Sequence, residues 1–194
     1  GTFVAGSDGF LATSKYDVTF TGVAAHSGAF PEQGKNALLA SAQSVLAIHG
    51  PPAHSSGTNR VNVGKLNAGL GRNIVPSIAT MQVEVRGETT AINEYYEQQI
   101  IHIFQGAAQM YDVKVSYEKV GHAISTPSDL KLAQLLAKTA NALGVPVIEY
   151  TNFKAGSEDA TFLMKRVQEN GGLASYSIMG TQLAAGHHNE YFDI

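Results

Sequence analysis

The sequence predicts an α+β protein: a ferredoxin-like βαββαβ unit, with a four-stranded antiparallel sheet and two helices, followed by an incomplete α/β portion. Four segments alternate apolar and polar residues with a period of two, as expected of half-buried strands. Helical segments separate the first strand from the second and the third from the fourth, which is the order of the split βαβ fold. After about Gly121 the pattern becomes helix, strand, helix, strand, which is typical of an α/β layer.

The elements of the first unit follow from this periodicity. Strands are predicted around residues 16–20, 61–63, 81–85 and 113–117. A helix over residues 36–48 begins at Asn36 as N-cap, and its apolar positions have helical spacing: Leu38, Leu39, Ala42, Val45 and Leu46. A second helix over residues 90–111 has one apolar stripe, with Glu94, Glu97 and Gln98 predicted on the opposite, polar side.

The second part has fewer elements. A helix capped by Ser128 or Asp129 carries Leu132, Leu136, Ala140 and Leu143, and a strand over 145–150, a helix over 157–168 and a strand over 173–179 follow. Two helices are too few to cover both faces of a parallel sheet. We therefore expect two domains, residues 16–121 on one side and residues 1–15, as a hairpin, with residues 122–194 on the other. Since the chain begins at Gly1 without Met and ends abruptly at Ile194, we also expect it to be a piece of a longer protein.

Composition excludes several classes of function. The chain has 194 residues, 13 Lys and Arg against 16 Asp and Glu, a net charge of -3 and no cysteine. It therefore lacks the positive field that nucleic acid requires, and no apolar stretch is long enough to span a membrane. The absence of cysteine fits a reducing compartment, and together with the lack of a signal-peptide pattern and the family resemblance given below it leads us to expect a cytoplasmic location.

Four short segments contain candidate site residues, and each has a structural alternative. His26 lies among small residues that let a ligand approach, or is a turn residue. Arg86 has the planar fork that binds a carboxylate, or it pairs at the surface with Glu84 or Glu88. Gly156-Ser157 forms a ligand-binding turn or simply starts a helix, and His187-His188 is a ligand pair or two solvated loop residues.

Five motifs in order give a resemblance to the M20 metallopeptidase/amidohydrolase family. They are GVAAHSGAFPEQGKNAL at residues 22–38, GLGRNIVP at 69–76, VEVRGE at 83–88, GSEDAT at 156–161 and GHHNEYFD at 186–193. RNIVP, VEVRGE and GHHNE are typical of the aminobenzoyl-glutamate subgroup of that family. The resemblance extends over nearly the whole chain.

The resemblance implies a catalytic domain with two divalent metal ions, manganese or zinc, into which a lid and dimerisation domain is inserted. Residues 16–121 would be the lid, through which the protein forms a homodimer, and residues 1–15 and 122–194 would belong to the catalytic domain. His188 would be a metal ligand and His26 would stabilise the oxyanion. Asn73 and Arg86 would bind a small acidic amide substrate, and Gly156 and Ser157 would line the cleft.

One departure from the family pattern changes what the chain can do alone. The remaining metal ligands and the general-base glutamate of the family lie before the lid, and this sequence has no such region. We therefore expect the isolated chain to be inactive and to retain no catalytic metal pair. A further candidate partner is a second hydrolase subunit. The alternative hypothesis is a naturally short dimerisation or regulatory module without catalysis.

Overall fold

The computed structural model describes residues 1–152, 156–186 and 189–192. The chain divides into two compact units, Leu11–Ala123, which we call the middle unit, and Gly1–Phe10 with the segment from Ile124 onward, which we call the flanking unit. The described elements are β1 (Thr2–Asp8), β2 (Ala12–Thr21), α1 (Ala37–Ala47), β3 (Asn59–Ala68), β4 (Ile78–Gly87), α2 (Thr90–Met110), β5 (Lys114–Ala123), α3 (Leu130–Ala142), β6 (Val147–Asn152), α4 (Ala160–Glu169) and β7 (Ile178–Gly180). No described helix is long and apolar enough to cross a membrane.

The middle unit has the predicted βαββαβ fold. Its four strands form an antiparallel sheet in the order β3-β4-β2-β5, and α1 and α2 pack on one face. The core between them is formed by large apolar side chains, among them Phe20, Val85, Tyr96, Ile100 and Phe104. The prediction of an α+β protein with this sheet is confirmed.

The other face of this sheet carries polar side chains. Because alternate residues of a strand point to opposite faces, Val83 and Val85 enter the core while Glu84 and Arg86 lie on the face away from the helices. Strand β3 has a register shift between Val63 and Lys65, where it contains one extra residue. After the shift, the side chains of β3 again lie on the same face of the sheet as those of their partners on β4. We call this surface the open face of the sheet.

Helix α1 has the predicted N-cap but not the predicted buried stripe. The Asn36 side-chain oxygen accepts a hydrogen bond from the Leu39 backbone N–H at 3.1 Å, which confirms the cap. The helix packs through Ala37, Ala40 and two serines instead of its leucines, and Leu46 is 74% exposed. Small residues allow the helix to lie close to the sheet, so its larger side chains face outward.

The prediction that places Glu97 on the polar side of α2 is wrong. The residue is 7% exposed and lies against the sheet, where its carboxylate accepts a hydrogen bond from the Tyr16 hydroxyl and forms an ion pair with Lys119. Burial and the neighbouring Glu97 carboxylate both raise the pKa of Tyr16. A charge partner on β5, far away in sequence, makes the burial of this carboxylate possible.

The flanking unit contains a three-stranded sheet in the order β6-β1-β7. Strand β1 is parallel to β6 and antiparallel to β7, so residues 1–15 do not form the predicted hairpin. Helix α3 packs on this sheet through Ala133, Ala137 and Ala140. A Cβ at Gly6 would lie 2.6 Å from the Ala133 Cβ, so this close approach of strand and helix requires glycine.

The helix ends of the flanking unit differ from their predictions. Helix α4 begins at Ala160 with Asp159 as N-cap, so it starts three residues after the predicted start at Ser157. Leu143, predicted as part of α3, follows that helix and is exposed. The Asp129 side chain does not cap α3. Its Oδ2 accepts hydrogen bonds from the Ala174 backbone N–H and the Gln168 Nε2, at 2.8 and 2.9 Å, and these bonds lower the pKa of the carboxyl group.

Candidate functional site

Two loops of the middle unit join at one end of its sheet. The loop after β2 contains His26, and the loop between β3 and β4 contains Asn73. Three backbone hydrogen bonds connect the loops: Gly22 N–H to the Ser77 carbonyl at 2.7 Å, Val75 N–H to the Ala25 carbonyl at 2.9 Å, and Ser27 N–H to the Asn73 carbonyl at 3.0 Å. His26 and Asn73 are therefore held close together on a hydrogen-bonded frame.

The imidazole of His26 is oriented by its own turn. Its Nδ1 accepts hydrogen bonds from the backbone N–H groups of Gly28 and Ala29, at 3.2 and 3.1 Å. A ring nitrogen that accepts hydrogen bonds carries no proton, so in the neutral ring the proton lies on Nε2. Because the side chain is exposed, Nε2–H is available as a donor to a ligand.

Gly22 is required for this arrangement. A Cβ at this position would lie 1.9 Å from the Lys35 carbonyl oxygen, because the chain returns past Gly22 just before α1. Only glycine lets the two backbone segments approach so closely. The small residue that the sequence places before His26 therefore shapes the loop.

Arg86 lies at the other end of the same sheet. Arg86 is eight positions along β4 from Ile78, which follows the Asn73 loop, and a rise of about 3.4 Å per residue gives roughly 27 Å between the two ends. The Arg86 guanidinium donates from Nε and Nη2 to the Glu84 carboxylate, at 2.9 and 3.2 Å. The surface pair with Glu84, which the sequence left open, is thus present, and within one chain Arg86 does not meet His26 and Asn73.

The other candidate residues lie in the flanking unit. Gly156 and Ser157 precede α4, and the Ser157 hydroxyl is buried without a hydrogen-bond partner among the described residues. His187 and His188 lie outside the described residues. In the part of the chain that the structure describes, no group of three His, Cys, Asp or Glu side chains could hold a metal ion.

Two features of the middle unit escaped the sequence analysis. One is the outward position of the α1 leucines. The helical spacing of the small residues Ala37, Ala40 and Ser44 is the signal that could have indicated it, because these residues form the stripe that packs on the sheet. The other is Arg60 on β3, which lies directly opposite Arg86. No sequence signal identifies this second neighbour, because it depends on the pairing of β3 with β4.

Comparison with known proteins gives the family. The M20 peptidase dimerisation domain matches residues 13–112. Over its full length the chain is 53% identical to the A subunit of p-aminobenzoyl-glutamate hydrolase from Escherichia coli (strain K12) and 51% identical to indole-3-acetyl-aspartic acid hydrolase of Enterobacter agglomerans, and it covers 45% of each. It thus spans about half the length of the curated relatives it matches.

A solved structure agrees with this result. The crystal structure of the aminobenzoyl-glutamate utilization protein from Klebsiella pneumoniae is 50% identical, with a TM-score of 0.86, over 93% of this chain and 47% of that one. The similarity therefore extends to the fold of both units. Because the dimerisation domain matches about half of the chain and the relatives align along all of it, the chain belongs to the M20 peptidase/amidohydrolase family.

Proposed function

We propose that this chain works as part of a metal-dependent amidohydrolase that cleaves the amide between an aromatic acyl group and an acidic amino acid. The two relatives of about half identity are named for p-aminobenzoyl-glutamate and indole-3-acetyl-aspartic acid, which share these two parts. The observation that carries the proposal is the oriented His26, whose Nε2–H faces outward beside Asn73. Our first candidate substrate is p-aminobenzoyl-glutamate.

In the proposed reaction, water adds to the amide carbonyl carbon and the C–N bond then breaks. The products are p-aminobenzoate and glutamate, with the proton from water on the departing amine. His26 Nε2–H would donate to the oxyanion that forms on the carbonyl oxygen, and Asn73 would orient the amide. Arg86 would bind a carboxylate of the amino acid with its guanidinium group, in exchange for the Glu84 carboxylate to which Nε and Nη2 donate in the structure.

The separation of these residues leads us to propose a site made by two copies of the chain. A span of roughly 27 Å is too long for one small substrate, so His26 and Asn73 would come from one protomer and Arg86 from the other. Strand β3 is an edge of the sheet, begins opposite the Arg86 end and leads at its other end into the Asn73 loop. Antiparallel pairing of two β3 strands about a twofold axis would therefore bring the Asn73 loop of one protomer to the Arg86 end of the other.

The surface beside this edge supports the same dimer. Leu39 and Leu46 of α1 are exposed, and a concavity beside the end of β3 is lined by Leu70, Ile74 and Ile78 among others. Exposed apolar groups of this kind mark interaction surfaces. We expect Leu46→Asp to shift the protein toward monomer in sedimentation velocity, while Leu135→Asp, an exposed leucine of α3, does not.

The metal centre would be completed outside the described residues. M20 enzymes generally depend on a divalent metal ion, and the described part of this chain contains no side-chain group that could hold one. We propose His188 as one metal ligand and manganese or zinc as the metal. Gly156 and Ser157 would line the cleft. A bound metal would polarise the carbonyl and activate water.

We propose a cytoplasmic location for the hydrolase. Its candidate partner there is a second hydrolase subunit.

The two-protomer site has a direct test in the complete hydrolase to which we assign this chain. His26→Ala and Arg86→Ala should each abolish most hydrolysis of p-aminobenzoyl-glutamate. Protomers of the two inactive variants, mixed and reassociated, should recover about a quarter of wild-type activity, because half of the dimers are hybrids with one intact site each.

The control mixes each variant with itself. Recovery of activity in these control mixtures would contradict the two-protomer site. So would a lack of recovery in the mixture of the two variants, if sedimentation confirms that protomers have exchanged. Lack of hydrolysis by the wild-type complete enzyme would contradict the amidohydrolase proposal itself and favour the non-catalytic dimerisation or regulatory module. The 194-residue chain alone, supplied with Mn²⁺ or Zn²⁺, should show no hydrolysis.

A further inference from the structure

Arg60 and Arg86 form a cross-strand pair on the open face of the sheet. The two residues are direct partners in the antiparallel register of β3 and β4. Directly opposed residues have Cβ atoms about 5 Å apart, so both guanidinium groups can reach the same small ligand. Like charges in this position repel each other, which favours an anion between or beside them.

The neighbouring charges leave this pair with an excess of positive charge. Lys15 on β2 lies opposite Glu84, so three cations meet the Glu84 carboxylate at this end of the open face, and Glu88 follows the end of β4. Both carboxylates already have partners: Glu84 accepts from Arg86, and Glu88 accepts from the Thr58 backbone N–H and hydroxyl, at 3.0 and 3.1 Å. Within the described part of the chain Arg60 forms no ion pair.

The proposed substrates carry two carboxylates on the amino acid. Glutamate and aspartate conjugates differ from other amino acid conjugates in their side-chain carboxylate. In the proposed reaction Arg86 exchanges the Glu84 carboxylate for the α-carboxylate of the substrate. A second anion needs a second donor group, and the fork of Arg60 has the geometry for it. The long, flexible arginine side chain also suits both the shorter aspartate and the longer glutamate.

We infer that Arg60 is a specificity-determining residue, which binds the side-chain carboxylate of the acidic amino acid while Arg86 binds the α-carboxylate. This inference rests on the proposed function. It assigns the preference for dicarboxylic amino acids to β3, the edge strand of the dimerisation domain through which two copies of the chain would pair.

The test compares two substrates with the complete hydrolase. One is p-aminobenzoyl-glutamate and the other is p-aminobenzoyl-glutamine, in which a neutral amide replaces the side-chain carboxylate. Arg60→Ala should lower the ratio of kcat/KM for the glutamate substrate to that for the glutamine substrate roughly 10- to 100-fold, the range expected for loss of a charged hydrogen-bonded pair. The loss should lie mainly in KM, since the side-chain carboxylate is bound alike in ground and transition states.

Two further variants serve as controls. Lys65→Ala removes a cation from the same strand and the same open face, opposite Gln82, and should leave the ratio unchanged. Arg60→Lys keeps the charge without the fork and should give an intermediate ratio. It also decides the question if Arg60→Ala does not fold, and sedimentation velocity checks that each variant remains a dimer.

The outcomes separate this inference from the function on which it rests. If the wild-type enzyme hydrolyses p-aminobenzoyl-glutamate but the Arg60 variants keep the wild-type ratio, the role of Arg60 is overturned and the proposed function stands. If Lys65→Ala lowers the ratio as much as Arg60→Ala, a diffuse positive field replaces a specific site. If the wild-type enzyme cleaves neither substrate, the proposed function is contradicted, and the role of Arg60 that rests on it falls with it.

Discussion

The two units of this chain are stabilised in different ways. In the middle unit, large side chains such as Phe20, Tyr96 and Phe104 are fully buried between one sheet and two helices. The buried apolar residues of the flanking unit are mostly alanines, and leucines remain at its surface, with Leu163 72% exposed. Since apolar burial is the main stabilising contribution to folding, the described residues of the middle unit gain more stability from it than those of the flanking unit.

The flanking unit compensates in part with buried hydrogen bonds. Ser128 Oγ donates to the Ser7 carbonyl at 2.7 Å and accepts from the Ser7 and Tyr176 backbone N–H groups, at 3.2 and 2.9 Å. One hydroxyl thus joins β1 to the segments before α3 and β7. Apolar packing therefore dominates in the middle unit, and polar contacts carry more of the stability in the flanking unit.

The largest effect should come from breaking the core of the middle unit. Phe104→Ala removes a fully buried ring and should lower the free energy of unfolding of that unit by about 3–5 kcal/mol in urea denaturation. Leu163→Ala, at an exposed position of α4, should change the free energy of unfolding of the flanking unit by less than about 0.5 kcal/mol. A loss below about 1 kcal/mol for Phe104→Ala would contradict the contrast between the units.

The next largest effect should come from the polar contacts of the flanking unit. Ser128→Ala leaves one buried and one partly buried backbone N–H group and one buried carbonyl without this partner, which should cost roughly 2–3 kcal/mol. Hydrogen exchange of β1 measures this loss. Ser177→Ala removes one hydrogen bond to the Ala5 carbonyl, so equal exchange rates in the two variants would remove the special role of Ser128.

A smaller effect is expected from Glu97, which is the one charged side chain buried in the middle unit among the described residues. Lys119→Met leaves Glu97 buried without its cation and should destabilise the middle unit by roughly 1–2 kcal/mol, less than for a fully buried pair because Lys119 is partly exposed. The matched control is Lys114→Met on the same strand, which should be nearly neutral. Urea denaturation of both variants tests this expectation.

The smallest effect should be a pH dependence in the flanking unit. The folded-state pKa of Asp129 lies below its ordinary value of 3.8, so its carboxylate stabilises the fold above that value and loses this contribution as the pH falls through the folded pKa. Asp129→Asn should therefore flatten the fall in stability below about pH 4. Glu149→Gln on β6 is a control, and equal acid sensitivity in both variants would argue against this role.

Local pattern was enough to predict much of the fold. The period of two identified the four strands of the middle unit, and Asn36 was recognised as a cap, because these signals depend on neighbours only a few residues apart. The motifs around His26 and Asn73 also gave the family, which the match to the dimerisation domain confirms. The roles of His26, Asn73, Arg86, Gly156, Ser157 and His188 stay predictions.

Other features depend on contacts between distant segments. Glu97 is buried because Tyr16 and Lys119 face it from two strands, and the α1 leucines point outward because small residues pack on the sheet. Neither result follows from helical periodicity, which gives the faces of a helix but does not say which face a neighbour will cover.

The order of strands and helices, the family and the candidate site residues follow from the amino-acid sequence. The proximity of His26 and Asn73, the position of Arg86 at the opposite end of the sheet and the pairing of Arg60 with Arg86 required the folded structure. Secondary structure follows from local propensity and periodicity, whereas strand register follows from the pairing and packing of the whole sheet.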